Sequence, residues 1–265
     1  MADNNDFWKE QSKRFDESAD YYDPYRPGYP EKLIDCILEK TQLQPGSELL
    51  EIGAGSGKAT LPFVNRGFNL HCIEPGANLA AAGMEKFSPT KRVQYTLSRF
   101  EEWEAPKEKF DFAFSAQSFH WVPKPKGFEI CAHTLKPGGY LGLYWNMYLT
   151  KYSPVDKALL DYMRQKNLML FYLQTKEEAD ISIEQNITEI NESGYFNPPR
   201  VYRFPWSQNY TAEEYLGFIK TGNGYLSLDQ KTRQWADGEI IHIINKQGGY
   251  ITRPYLCVLY LAQKK

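Results

Sequence analysis

Apolar positions change period several times along the chain, and the changes mark its elements. From Glu31, Leu33, Ile34, Ile37 and Leu38 recur at helical spacing until Pro45-Gly46, which predicts a helix. The short run from Ser47 to Ile52 ends in glycines and reads as a buried strand. Then follow a helix within Gly57 to Asn65, strand Asn69 to Ile73, helix Asn78 to Lys86, and strands Val93 to Thr96 and Phe110 to Ser115. A helix around Lys126 to Leu135, the turn Lys136-Pro137-Gly138-Gly139 and strand Tyr140 to Trp145 complete the series. Strands and helices alternating at this spacing require right-handed crossovers, so a doubly wound α/β domain with a parallel sheet is expected.

Beyond Asn146 the period stays helical. Val155 to Leu173 and Ile181 to Ser193 predict helices with no strand between them, which marks an insertion or cap. Val201 to Trp206 reads as a strand, and Thr211-Ala212-Glu213-Glu214 has capping-box spacing ahead of a helix from Glu213 to Lys220. A further helix over about Asp229 to Lys246 stops at Gly248-Gly249, and Tyr255 to Leu261 is a final apolar strand. The expected organisation is a lid segment at 1–30, a core at 31–150, a mostly helical cap at 151–200 and 207–250, and returning core strands at 201–206 and 251–265.

Composition narrows the class. The 265 residues suffice for one large domain or a domain with a sizeable insertion, and 42% hydrophobic with 24% charged residues is a globular balance. A net charge of -2 disfavours the broad basic surface that nucleic-acid binding needs. Met1 to Glu10 is polar and acidic, unlike a secretory leader, and no apolar run reaches membrane-spanning length, so a cytoplasmic protein without membrane contact is expected. Cys36, Cys72, Cys131 and Cys257 are widely separated, which points to reduced structural thiols rather than zinc or redox chemistry. His71, His133 and His242 lack metal spacing, and no metal site is expected. Aromatic residues reach 15%, which fits either aromatic-lined pockets or ordinary packing with amphipathic surface tyrosines.

The loop Glu51-Ile52-Gly53-Ala54-Gly55-Ser56-Gly57 joins the first strand to the next helix. Ligands of open parallel sheets bind beyond the carboxyl ends of the strands, and glycines there let a ligand approach the backbone. In the NAD fingerprint Gly-x-Gly-x-x-Gly a pyrophosphate lies over the helix N-terminus; here the third glycine comes one residue early and the carboxylate of Glu51 leads. S-adenosylmethionine carries an ammonium and a sulfonium but no phosphate, so the charge pattern favours it over a dinucleotide. Seventeen residues after Gly57, Glu74 ends the second strand in Cys72-Ile73-Glu74-Pro75, where a carboxylate can accept both ribose hydroxyls or simply cap a helix.

Those motifs, with Phe110-Asp111, Ser115-Ala116-Gln117-Ser118-Phe119-His120-Trp121 and Leu135-Lys136-Pro137-Gly138-Gly139, resemble the class I S-adenosylmethionine-dependent methyltransferases of small-molecule type. The group meant includes trans-aconitate methyltransferase and the ubiquinone-biosynthesis type. Tyr22-Asp23-Pro24-Tyr25-Arg26-Pro27-Gly28-Tyr29-Pro30 resembles the lid of that group. The resemblance implies a seven-stranded, mostly parallel, Rossmann-like sheet whose last strand is antiparallel. It further implies a cofactor set of Tyr22, Arg26, Glu51, Gly53, Ala54, Gly55, Gly57, Glu74, Pro75, Phe100, Glu101, Ser115, Ala116 and Gln117. His120, Trp121 and Trp145 are implied on the acceptor side, with S-adenosylhomocysteine as the product. Arg99 departs from the family, where many relatives have a small or acidic residue.

Methyl transfer needs orientation and exclusion of water more than it needs a base. His120 is the candidate catalytic group, as a base for a phenol or amine, beside the plainer reading of a pocket-lining ring. Tyr21, Tyr22, Tyr25, Trp121 and Trp145 are candidates for cation-π contact with the sulfonium. Asn197-Pro198-Pro199 looks like a base-flipping methyltransferase motif, but Arg200 follows it and it lies far from the fourth strand, so it reads as a turn. The expected activity is O-, N- or C-methylation of a small molecule by a monomer or homodimer. The alternatives are a cofactor-binding protein without turnover and a nicotinamide-dependent oxidoreductase.

Overall fold

Strands β1 (Glu48–Ile52), β2 (Asn69–Glu74), β3 (Val93–Leu97), β4 (Phe110–Ala116), β5 (Leu135–Tyr148), β6 (Arg200–Thr211) and β7 (Tyr250–Gln263) make one sheet. Their order is β3-β2-β1-β4-β5-β7-β6 in a computed structural model that describes residues 24–150 and 153–265. β1 pairs in parallel with β2 and β4, β2 with β3, and β4 with β5. β7 runs the other way: Lys264 N–H bonds to Gly139 carbonyl at one end and Leu149 N–H to Pro254 carbonyl at the other, so rising numbers meet falling ones. This is the expected mostly parallel seven-stranded sheet, with its strand order reversing between β1 and β4.

The chain divides into two compact units. One comprises Gly28–Asn146, Asp180–Phe204 and Leu256–Lys265, and the other the described residues up to Pro27 with Met147–Ala179 and Pro205–Tyr255. In the first, helix α1 (Glu31–Thr41) precedes β1, and α2 (Thr60–Val64), α3 (Ala77–Phe87) and α4 (Lys126–Thr134) connect strands. Leu33, Ile34 and Ile37 form the buried stripe of α1, which stops where Gln42 turns left-handed at φ 56°. Phe63 of α2 packs on Phe68, Phe112 and Phe114 with ring centroids 4.8–6.2 Å apart. Each such ring contributes roughly 1.5–3 kcal/mol of burial, which anchors the segment after the glycine loop to the sheet.

The second unit holds α5 (Pro154–Gln165), the first residues of α6 (Lys176–Glu192), α7 (Ala212–Lys220), α8 (Asn223–Leu226) and α9 (Gln230–Lys246). Its core gathers Leu159, Tyr215, Ile219, Ala236, Ile240 and Ile244. The expected capping box opens α7: Glu214 N–H donates to Thr211 Oγ1 at 3.2 Å, and Thr211 N–H to Glu214 Oε2 at 2.8 Å. Thr211→Ala should therefore cost about 1 kcal/mol in urea unfolding.

Several boundaries differ from the sequence reading. The helix expected to reach Leu173 ends at Gln165, because Asn167 adopts a left-handed φ of 53° and Leu168 N–H turns back to Met163 carbonyl. The apolar residues that follow include buried Leu170, so their hydrophobicity serves packing outside a helix. β6 continues past Trp206 to Thr211, with Tyr202, Phe204, Trp206 and Tyr210 turned inward and Arg203, Pro205, Ser207 and Asn209 exposed. That half-buried alternation at a sheet edge carries too few apolar residues to mark its full length. β5 and β7 are likewise longer than expected, and Lys136-Pro137-Gly138-Gly139 lies inside β5, where the register slips between Phe110↔Leu135 and Phe112↔Tyr140. The short helix α8 was not expected.

Candidate functional site

The carboxyl end of β1 runs into a loop whose left-handed turns favour glycine. Gly53, Gly55 and Gly57 all have positive φ, at 67°, 56° and 81°, so the spacing of two residues between glycines records an alternating left-handed path. A Cβ on Gly53 would lie 2.5 Å from Ser118 Oγ, and one on Gly57 2.2 Å from Phe87 Cε2. Gly53 N–H and Ala54 N–H both reach the carbonyl of Ile73 on β2, at 2.8 and 3.2 Å, which stitches the loop to the neighbouring strand.

Two carboxylates flank this loop in different surroundings. Glu74 ends β2 and bridges: Oε2 accepts Gly55 N–H and Oε1 accepts Gly76 N–H, each at 2.8 Å. The carboxylate thus joins the loop to the start of α3 with an oxygen committed to each. Glu51 is 1% exposed beneath the loop and accepts from Thr60 Oγ1 at 2.6 Å. Burial raises its pKa to about 8; the Thr60 bond opposes that shift, and the negative charge of Glu74 adds to it. Glu51 therefore holds a proton over much of the neutral range.

The end of β4 forms the other wall. Ser115 and Ser118 hydroxyls converge on Ile52 carbonyl at 2.8 and 2.7 Å, and lie 2.6 Å from each other. Ser115 is fully buried, so its hydroxyl fixes the β1 end. Ala116 is buried, and Gln117 takes a left-handed φ of 62°, uncommon for a residue with a side chain. Gln117 Oε1 accepts Asn146 N–H at 2.9 Å and its Nε2 donates to Asn146 carbonyl at 3.4 Å, an amide clasp onto β5. Asn146 in turn donates from Nδ2 to Gly28 carbonyl at 2.9 Å. His120 and Trp121 sit on the 3-10 turn Phe119–Trp121, with their rings 4.8 Å apart, and Trp145 Nε1 of β5 donates to His120 Nδ1 at 3.3 Å. His120 is exposed, and poor solvation of its cation, then the positive charge of Lys124, lowers its pKa to about 4.

Gly53, Ala54, Gly55, Gly57, Glu51, Glu74, Pro75, Ser115, Ala116, Gln117, His120, Trp121 and Trp145 all belong to the first unit, on or just past the ends of β1, β2, β4 and β5. Phe100 and Glu101 follow β3: Phe100 is buried against Trp103 at 6.1 Å, and Glu101 is ion-paired with Arg99 at 2.5 Å. Arg26 lies in the second unit, donating to Tyr148 Oη at 3.1 Å and Thr221 carbonyl at 2.9 Å, over the ring of Phe218. Tyr21 and Tyr22 fall outside the described residues. Sequence reasoning missed Asn146 and Ser118 as supports of the site. His71, read as structural, bonds Thr96 Oγ1 at 2.8 Å and packs on Trp103 and Phe110. The cysteines are free, with Cys72, Cys131 and Cys257 buried. Among the described residues no His, Cys, Asp and Glu cluster is arranged to hold a metal, and no helix is long and apolar enough to cross a membrane.

Comparison with known proteins bears on this edge of the sheet. Residues 50–143 match a family model described as a methyltransferase domain. An uncharacterised methyltransferase of Mycobacterium tuberculosis is 30% identical over 138 residues, which are 52% of this chain and 54% of the relative. The chain thus spans about half the length of the curated relatives it matches first. Among solved structures, a protein of Anaeromyxobacter dehalogenans described as a type II methyltransferase superposes with a TM-score of 0.59 at 18% identity, covering 91% of this chain and 97% of that one. The phosphoethanolamine N-methyltransferase 2 of Haemonchus contortus, solved with S-adenosyl-L-methionine, superposes with a TM-score of 0.53 at 18% identity over 94% of this chain and 57% of that one. At these identities the superpositions speak for the fold.

Proposed function

We propose that this chain, whose residues 50–143 are a methyltransferase domain within a class I methyltransferase fold, binds S-adenosylmethionine at the ends of β1, β2 and β4 and methylates a small molecule. The observation that carries the reading is Glu74, held by Gly55 N–H and Gly76 N–H beside three left-handed glycines, at the reversal of strand order. Glu74 places two acceptor oxygens at the carboxyl end of β2, which suits a ribose diol. The bare Cα atoms of the loop admit the methionine portion against the backbone. S-adenosylmethionine supplies a methyl group on a cationic sulfonium, which departs as a neutral thioether. The residues of this chain hold and orient the two reactants and exclude water.

The test is calorimetric titration of the protein with S-adenosylhomocysteine and, separately, with NAD. Heat with the first and none with the second is expected; the reverse would identify a nicotinamide enzyme. Glu74→Gln places an amide N–H against a backbone N–H and should weaken S-adenosylhomocysteine by at least about tenfold, the scale of one lost charged hydrogen bond. Methyl transfer from labelled S-adenosylmethionine then separates an enzyme from a protein that only binds.

Glu51 adds a pH signature. A cation on the loop favours the ionised carboxylate, so binding releases a proton wherever the free protein holds one. With the free group near 8, affinity should rise as pH increases from 6 to 8, by at most about tenfold per unit, and level off above that. Glu51→Gln should flatten the slope, which titration in two buffers of different ionisation enthalpy will show.

A further inference from the structure

Tyr95 of β3 ends where two glycines leave room for it. A Cβ on Gly83 of α3 would lie 2.3 Å from Tyr95 Oη, and one on Gly57 of the glycine loop 2.8 Å from the same atom. Gly83 belongs to the buried stripe of α3, so the tip of the phenol fills the space between that helix and the loop. The register Glu51↔Cys72 and Cys72↔Tyr95 sets these three side chains in one row on one face of the sheet. Thr60 Oγ1 of α2 joins the row, 2.6 Å from Glu51 Oε2 and 3.8 Å from Cys72 Sγ. The phenol stands apart from these bonds: its oxygen is buried, and none of the described residues makes a hydrogen bond with it. Burial, with Cys72 and Glu51 adding to it, holds its pKa well above the usual tyrosine range, so the group keeps its proton.

A buried hydroxyl without a partner opposes folding, and phenylalanine would fill the same space without that penalty. The oxygen therefore serves something other than stability, and what it touches is the loop. Gly57 has a left-handed φ of 81° and no side chain of its own to pack, so its backbone rests on its neighbours. Elsewhere the loop is tied down by hydrogen bonds, Gly53 N–H to Ile73 carbonyl and Gly55 N–H to Glu74 Oε2, each at 2.8 Å. We propose, on the premise of the cofactor site just described, that Tyr95 is a positioning residue for the cofactor: its phenol oxygen braces Gly57 against α3 and keeps the loop seated on Glu74. It acts through the loop rather than on a reactant. Phenylalanine leaves a gap the size of one oxygen between Gly57 and Gly83, and the loop settles into it.

The experiment compares the full parent chain with Tyr95→Phe by urea unfolding and by calorimetric titration with S-adenosylhomocysteine. Tyr95→Phe is expected to keep or raise the urea midpoint while weakening S-adenosylhomocysteine at least about threefold, the scale of a few lost packing contacts. A lowered midpoint would make the hydroxyl a stability group and an unchanged affinity would make it idle; either result overturns the proposal. A double-mutant cycle tests the route through the phenol. Gly83→Ala sets a methyl 2.4 Å from Tyr95 Cζ and should weaken binding at least about tenfold. In a Tyr95→Leu background, which clears that space, the same change should cost less than about twofold. Equal losses in the two backgrounds would assign the effect to α3 itself and overturn the brace. A parent chain that does not bind S-adenosylhomocysteine is a separate outcome, and it overturns the cofactor reading and this inference with it.

Discussion

Replacing Asp156 by alanine is expected to lower the unfolding free energy by about 3–5 kcal/mol, measured as a displaced urea midpoint with an unchanged slope. Asp156 is 0% exposed and Arg253 1%, and the two are paired through Asp156 Oδ1 and Arg253 Nη1. Arg253 Nε donates to Tyr215 Oη at 2.7 Å, and its guanidinium stands 4.8 Å from the Tyr215 ring centre and 5.3 Å from that of Phe171. Among the described residues no hydrogen-bond partner meets Nη2, and Asp156 is the carboxylate that meets the guanidinium. Removing it leaves a buried cation that neither ring neutralises. The loss is large against total stabilities of roughly 5–15 kcal/mol. The double replacement Asp156→Leu with Arg253→Met should recover most of it, because two apolar side chains need no partner. A double variant as unstable as the single one would instead assign the cost to the lost Ser153–Asp156 cap of α5.

What was legible in the sequence was whatever a residue type declares locally. The glycines at 53, 55 and 57 announce a backbone that side chains rarely allow, and their positive φ values are the cause of that spacing. Glu74 was legible through its place at a strand end, and Thr211 with Glu214 through cap spacing. Features made by distant residues were not. Asn146 meets Gly28 across 118 positions, and Arg253 meets Asp156 across 97, with no periodicity linking either pair. The lengths of β6 and β7 depend on mutual pairing at the sheet edge, which the polar outward positions of each strand conceal. Ser115 was assigned to the cofactor by resemblance, and its hydroxyl is spent on Ile52 carbonyl. The glycine loop thus owes part of its shape to two serines from another strand end.

Gly57→Ala is expected to destabilise the protein by about 2–4 kcal/mol and to weaken S-adenosylhomocysteine by at least about a hundredfold. Its φ of 81° alone costs an alanine about 1–2 kcal/mol. The added Cβ would also lie 2.2 Å from Phe87 Cε2 and 2.8 Å from Tyr95 Oη. Phe87 is buried at the end of α3, and Tyr95 is pressed against α3 so closely that a Cβ on Gly83 would sit 2.3 Å from its hydroxyl. A Cβ so far inside van der Waals contact with both rings is expected to displace the loop, at the further cost of about 1–3 kcal/mol typical of overpacking. That shift pulls Gly55 N–H from Glu74, the contact that sets the carboxylate. Gly46→Ala is the control, since its φ of 93° imposes comparable backbone strain with no atom of the described residues within 4 Å of the new methyl. It should lose about 1–2 kcal/mol and bind S-adenosylhomocysteine as well as the parent does. Urea unfolding and calorimetry on the pair then separate the strain of a left-handed backbone, which both variants bear, from the packing that sets the loop, which Gly57 alone supplies.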